Sequence, residues 1–334
     1  MNRRNGTENT KVALLGFGTV GRAFAAAAQD VRIAAVADTS GALVLDRPED
    51  LAGLIAHKAA GKPLRSSQPK SSILGIPELL RRMPELGIRV LVEALPSDFK
   101  NGQPALDWLC SVLARGISAV TVDKGPLVHG FDRLLAAAAS GNAKLAFQGT
   151  TGVWPSSDVR GQVVVEIEGI LNGTTNFILS SMCETGVGFD ASLREAQRRG
   201  IAEPDSRLDL EGWDSAAKVL ILSRALMNTQ ADLAGISRTG IGPATQTMVR
   251  RARSTGRVVR LIARARLSSG RAQLSVAPAI LGPDSPFYPV SGTTKAAIFR
   301  TAGGGQLFVS ATSGLDAISE IIVEDIRSIN GSQN

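Results

Sequence analysis

The turn Gly16-Phe17-Gly18-Thr19-Val20-Gly21 constrains this chain more than any other feature, because it follows the apolar run Lys11–Leu15 and opens a helical pattern over Val20–Gln29. Glycines at this spacing permit a tight turn at Gly16, close approach of an anion at Gly18, and close packing of helix on strand at Gly21. The first N–H groups of the helix then face that anion. The stretch reads as the phosphate turn of a dinucleotide site, with Gly16, Phe17, Gly18, Thr19, Val20 and Gly21 as candidate cofactor contacts. Asp38 closes the run Arg32–Ala37, where a carboxylate can accept hydrogen bonds from ribose hydroxyls. That favours NAD, while Lys58 and the hydroxyls of Thr39 and Ser40 could offset repulsion of a 2′-phosphate and leave NADP open.

From Lys11 the chain alternates short β-branched runs with Ala- and Leu-rich segments, the signature of βαβ units. Strands are expected near Lys11–Leu15, Arg32–Ala37, Val90–Leu95, Ser118–Val122 and Lys144–Phe147. Helices are expected at Val20–Gln29, Gln103–Arg115 and Phe131–Ala139, and a loop at Pro63–Lys70. After Gly149 the pattern changes to a strand at Val163–Glu168, helices including Asp190–Arg199, and paired strands near Val258–Leu267 and Gln273–Leu281. The fold expected is α/β: a Rossmann-type doubly wound parallel sheet over 11–149, then an α+β catalytic domain over 150–310. Residues 1–10 read as a disordered tail. Arg260, Arg264 and Arg266 share one parity of the strand Val258–Leu267, which predicts a solvated sheet face.

A net charge of +7 is compatible with nucleic acid, but only 4% of residues are aromatic and none interleaves with a basic run as a base-stacking platform requires. No nucleic-acid or membrane partner is expected. Cys110 and Cys183 are the only cysteines, so a disulfide scaffold is not expected and a cytoplasmic setting is. His57 and His129 fit neither a metal-ligand nor an acid–histidine pattern, and no metal site is expected among them.

The densest polar cluster runs from Ala202 to Lys218, where the carboxylates of Glu203, Asp205, Asp209, Glu211 and Asp214 precede one lysine. From about Asp209 the pattern is helical, which sets Asp214 and Lys218 four apart on one face with the acid N-terminal. Such a pair on a surface contributes only about 0.3 kcal/mol. An ordinary ion pair and a site are both open at this point; the apolar run Val219-Leu220-Ile221-Leu222 follows at once, so the helix is expected to pack within its domain, where a lysine at its mouth could meet a substrate.

Three stretches together resemble the homoserine dehydrogenases: Gly169-Ile170-Leu171-Asn172-Gly173-Thr174-Thr175-Asn176-Phe177-Ile178-Leu179, the Ala202-Glu203 step, and Asp209 through Gly212 and Asp214 to Lys218. Val120-Thr121-Val122-Asp123-Lys124-Gly125-Pro126-Leu127 and the C-terminal helix Ile322–Ile329 extend the resemblance over nearly the whole chain. It implies reversible NAD- or NADP-dependent hydride transfer between L-homoserine and L-aspartate 4-semialdehyde, on the way to threonine, isoleucine and methionine. It further implies Lys218 as proton donor, Asp214 as its holder and a substrate contact, and Glu203 and Asp209 as ligands of the substrate ammonium. Lys124 would reach the substrate or the nicotinamide, as a catalytic and cofactor-binding residue, and Ser97 would contact the nicotinamide side. A homodimer is implied, as is a C-terminal segment, 311–330, that returns to the nucleotide domain. The Asn172-Gly173-Thr174 sequon is read as a loop entering a helix at Thr174.

The chain also departs from the family pattern. Gln148 stands where an acid is usual before Gly149-Thr150, the segment Thr151–Gly161 is short and carries Trp154-Pro155, Asp123 and Lys295 each replace an asparagine, and Ala311-Thr312-Ser313-Gly314 is poorer in glycine. Loss of the acid makes the family's monovalent-cation site doubtful. A dehydrogenase of a related amino-acid aldehyde and a catalytically silent dinucleotide-binding protein are the alternatives. The length of 334 residues leaves no room for an added regulatory domain, so threonine feedback is not expected.

Overall fold

A computed structural model describes residues 10–47, 49–67, 73–155, 162–268 and 271–331. Most of the expected N-terminal tail, part of the loop Pro63–Lys70 and residues 156–161 of the short segment lie outside the described residues. The chain divides into two compact units: one runs to Thr150 and takes up the chain again from Gly314, and the other is Thr151–Ser313.

The first unit contains β1 (Lys11–Leu15), α1 (Thr19–Ala27), β2 (Arg32–Asp38), β3 (Gly41–Val44), α2 (Asp50–Ala59), α3 (Ile76–Arg82), β4 (Val90–Glu93), α4 (Ala105–Leu113), β5 (Ser118–Thr121), α5 (Lys124–Ser140) and β6 (Leu145–Ala146). Its six strands are ordered β3-β2-β1-β4-β5-β6, all parallel except β3. β1 and β4 are buried throughout apart from Lys11, as strands covered on both faces must be. The order reverses between β1 and β4, which makes the carboxyl edge of those strands the place where such sheets bind ligands. β3, α2 and α3 were not expected from the sequence. β3 arises because Gly41, with φ of +135°, reverses the chain directly after Asp38 into a hairpin on β2.

The second unit contains β7 (Val164–Ile170), α6 (Gly173–Thr185), α7 (Phe189–Arg198), α8 (Arg207–Leu210), α9 (Trp213–Met227), β8 (Ser237–Arg238), α10 (Thr245–Arg253), β9 (Val258–Ser268), β10 (Arg271–Leu281), β11 (Lys295–Thr301) and β12 (Gln306–Ala311). The order is β12-β11-β7-β9-β10-β8, antiparallel but for the short β8. Helices α6, α9 and α10 pack on it. β11 and β12 extend the sheet beyond what the sequence suggested, and the unit accordingly runs to Ser313.

The arginine face of β9 is not simply solvated. Arg260 is buried, its guanidinium donating to the carbonyls of Val259, Tyr288 and Val290, because the chain near Phe287–Val290 lies over that end of the sheet with Ile262 and Ile298. Arg264 pairs with Glu168 at 2.7 Å, and Arg266 alone of the three is exposed. Cys110 and Cys183 are buried free thiols. No helix among the described residues is long and apolar enough to cross a membrane.

The last helix, α11 (Leu315–Gly331), packs on α1, and its Ile322, Ile326 and Ile329 complete the core around Val12, Leu14 and Phe24. It also buries Asp325, which accepts from the Gln148 N–H at 3.2 Å through Oδ2 while Oδ1 has no partner. Burial pushes this carboxyl up to about 7. Glu93, fully buried and beside Asp123, is pushed up to about 8, first by burial and then by that neighbour. Asp123 is raised to about 6, chiefly by burial. Acids whose pKa is higher folded than unfolded keep their protons on folding, so stability is full below the ordinary carboxyl range and falls as pH rises through the folded values. Denaturation midpoints are therefore expected to drop between pH 4 and pH 8. Asp325→Asn should flatten that drop, gaining about 2 kcal/mol at pH 8 and little at pH 4. Urea titrations at the two pH values read this; an equal gain at both would refute it.

Candidate active site

In the first unit, Gly16 takes a φ of +101° and donates its N–H to Ala37 O at 3.0 Å, turning the chain off β1. A Cβ at Gly16 would strike the Ala94 carbonyl, and one at Gly21 would strike the carbonyl of Gly16. Those two glycines are required by the turn itself. Gly18 differs: it is exposed, nothing lies within 4 Å of where its Cβ would be, and no side chain caps the helix that it precedes. An uncapped helix start beside open space is the cradle that a pyrophosphate fills, and Thr19 lies exposed at its first position. The Phe17 side chain is buried in the core, and Val20 is half-buried against the same core.

Gly18→Ala should accordingly fold like the parent, with an unchanged melting temperature, yet weaken NAD(P)H binding about tenfold by blocking backbone approach. Cofactor fluorescence titration measures it. Equal affinity in the two proteins would remove Gly18 from the site.

Asp38 sits at the end of β2 as the sequence required, but its carboxylate already has partners. Oδ1 accepts from the Ser40 N–H at 2.7 Å and the Ser40 hydroxyl at 2.5 Å; Oδ2 accepts from Lys58 Nζ at 2.6 Å and the Leu64 N–H at 3.2 Å. Burial acts to raise its pKa, and these hydrogen bonds outweigh burial and hold it below the ordinary value. The pair with Lys58 neutralises the charge that would repel a 2′-phosphate.

Ser97 and Lys124 meet at the carboxyl edge of β4 and β5. The Lys124 N–H donates to Ser97 Oγ at 3.0 Å, and the Ser97 hydroxyl in turn bonds Asp123. Asp123 caps α5 by accepting from the Gly125 N–H at 2.7 Å, which fixes Lys124 as the first residue of that helix. Behind them Glu93 accepts from the Thr121 hydroxyl at 2.5 Å.

In the second unit, Gly212, with φ of +81°, ends the turn of α8 and starts α9, so the helix begins at Trp213 rather than near Asp209. Asp214 and Lys218 still fall one turn apart, and Lys218 Nζ donates to Asp214 Oδ2 at 2.6 Å and to Leu171 O at 2.9 Å. Both side chains are about nine-tenths buried, at 12% and 11% exposure, so this is not a surface pair. A buried pair is costly to desolvate and is retained where charge has work to perform. The third Nζ–H of Lys218 has no partner among the described residues.

Asn172 organises the acids. Its amide donates to Asp209 Oδ1 at 2.7 Å and to Asp214 Oδ2 at 2.9 Å, while its Oδ1 accepts from the Thr175 N–H at 2.8 Å and caps α6. The helix therefore starts at Gly173, one residue before the expected Thr174. Burial, and next the nearby Asp214, raise the Asp209 pKa. Among the described residues Lys218 is the lysine that faces both carboxylates, and the two acids are suited to an ammonium-bearing ligand. Glu203 is exposed on the chain between α7 and α8, which is tied to α6 by Thr174 Oγ1 donating to Ile201 O at 3.1 Å. Asn172 is the member that sequence reasoning missed; an Asn before Gly-Thr-Thr at a helix start is an N-cap signal that pointed to it.

The monovalent cation implied by the sequence resemblance does not fit the residues present. In the turn after Thr150, Gly152 takes a φ of +67°, and a Cβ there would strike Lys295 Nζ, the ammonium of a buried lysine. No cluster of His, Cys, Asp and Glu suited to a metal occurs among the described residues.

The family model for homoserine dehydrogenase matches residues 154–326. The chain is 30% identical to an NAD(+)-dependent homoserine dehydrogenase of Pseudomonas canavaninivorans, over 96% of each chain. It is 29% identical to the homoserine dehydrogenase of Methanocaldococcus jannaschii, covering 87% of this chain and 89% of that one. Among solved structures it is similar to a homoserine dehydrogenase from Thiobacillus denitrificans, with TM-score 0.79, 26% identity, and coverage of 97% of this chain and 74% of the other. It is also similar to a hyperthermophilic archaeal homoserine dehydrogenase in complex with NADPH, with TM-score 0.77, 26% identity, and coverage of 97% and 98%.

Proposed function

Because the chain belongs to the homoserine dehydrogenase family, we propose that Lys218 is the proton donor and acceptor for interconversion of L-aspartate 4-semialdehyde and L-homoserine. The observation that carries this is the buried Lys218–Asp214 pair, tied by Asn172 to Asp209. NAD or NADP, when bound at the turn Gly16–Gly21, supplies or accepts the hydride. The step belongs to the biosynthesis of threonine, methionine and isoleucine.

An aldehyde that gains hydride at carbon develops negative charge on oxygen, and a lysine that offers both charge and a proton lowers the barrier twice. Asp214 and the Leu171 carbonyl hold Lys218 Nζ by two hydrogen bonds, which leaves one N–H to give to that oxygen. In the reverse direction the same nitrogen takes the hydroxyl proton. Asp209 and Glu203 bind the substrate ammonium, and Asp214 reaches the hydroxyl end. Lys124, set by Asp123 and Ser97, serves the reacting region, and Ser97 the nicotinamide side.

The neutralised Asp38 supports use of either cofactor. A homodimer is part of the proposal, supported by the open edge strand β12 with Phe308 exposed on it. So is the cytoplasm, where two unpaired thiols stay reduced. The test is appearance of reduced cofactor when purified protein meets L-homoserine with NAD or NADP. No turnover with either cofactor would reject the function.

A further inference from the structure

We infer that the ammonium of Lys295 stands in for a dissociable monovalent cation, so that this protein folds and works without sodium or potassium. Lys295 opens β11 and is 8% exposed, a rare state for a lysine. Its Nζ lies against Gly152, in a turn whose neighbours Thr151 and Val153 are buried and whose Thr151 hydroxyl donates to Val153 O at 2.9 Å. A Cβ at Gly152 would displace the ammonium from this position, and Gly152 also supplies the left-handed φ of +67° that the turn takes.

An ammonium and an alkali cation carry the same charge and are both held by oxygen atoms, but a tethered ammonium loses no freedom on binding. Two such charges in one buried place exclude each other. The sequence changes point the same way: Gln148 removes an acid that would attract a mobile cation, and Lys295 adds a fixed one where the resemblance leads to asparagine.

The inference rests on the homoserine dehydrogenase reading for the choice of assay, and its second readout does not. Wild-type protein is assayed and melted in sodium, potassium and tetramethylammonium chloride at one ionic strength. Rates are expected to agree within about twofold and melting temperatures within about 1 °C. In tetramethylammonium, Lys295→Asn should lose about tenfold in kcat and melt several degrees lower, and ammonium or potassium ions should restore both. Specific activation or stabilisation of the wild type by sodium or potassium would overturn the inference. So would a Lys295→Asn protein that matches wild type in tetramethylammonium. If the variant does not fold, the wild-type comparison decides alone. If no turnover is found at all, the functional reading fails, while the melting data still decide whether a cation binds.

Discussion

Replacing Lys218 by Met is expected to lower kcat for L-homoserine oxidation by about 10³-fold, within the range supplied by a positioned proton-transfer group. Met nearly conserves the side-chain volume, so the apolar packing of α9 around Val219 to Leu222 should survive. What is lost is the ammonium that faces Asp209 and Asp214, together with its proton. Cofactor affinity is expected to stay within about twofold, since the dinucleotide turn belongs to the other unit. Lys218→Arg separates charge from proton transfer. Arginine keeps the charge but does not release its proton near neutral pH, so it should restore substrate binding and leave kcat low. Near-wild-type turnover in either variant would take Lys218 out of the proton-transfer role.

Asn172→Ala should lower kcat/KM for L-homoserine by about 100-fold. The amide is the donor shared by Asp209 and Asp214, at 2.7 and 2.9 Å, and without it the half-buried Asp209 and the buried Asp214 lose the group that bridges them. Asp209 is already raised by burial and by Asp214, and the bond from Asn172 acts to lower it. Removing that bond raises the pKa further, so Asp209 is ionised only at higher pH. The acid limb of the kcat/KM profile should therefore move upward. Asn172→Asp should be worse, because it replaces the donor with a third carboxylate. An unchanged pH profile, with only a lower melting temperature, would reduce Asn172 to a helix cap.

The parts of the site set by local rules were legible in the sequence. The glycine turn declares itself because each glycine meets a steric demand within a few residues, and Asp214 and Lys218 meet because a helix repeats every 3.6 residues. Contacts that depend on tertiary folding were not. Asn172 reaches acids 37 and 42 residues downstream, and Lys58 comes back to Asp38 from 20 residues on. Nothing in a local pattern tells which of several polar residues these will be. Arg260 was misread for the same reason, since its cover comes from the distant chain at Tyr288–Val290. β12 is hard to read because an edge strand lacks the unbroken apolar run of an interior one, whereas β11 is interior, between β12 and β7, with only the short buried run Ala296–Phe299 between Lys295 and Arg300.

The most direct test of Lys218 as the proton donor is a steady-state assay of wild type and Lys218→Met with L-homoserine and each of NAD and NADP, followed over a range of pH. Proton transfer by Lys218 predicts turnover by wild type with L-homoserine, with at least one cofactor, and a loss of about 10³-fold in kcat in the variant while cofactor binding is retained. Wild type that is inert with both cofactors, or a variant that turns over as fast as wild type, would contradict it.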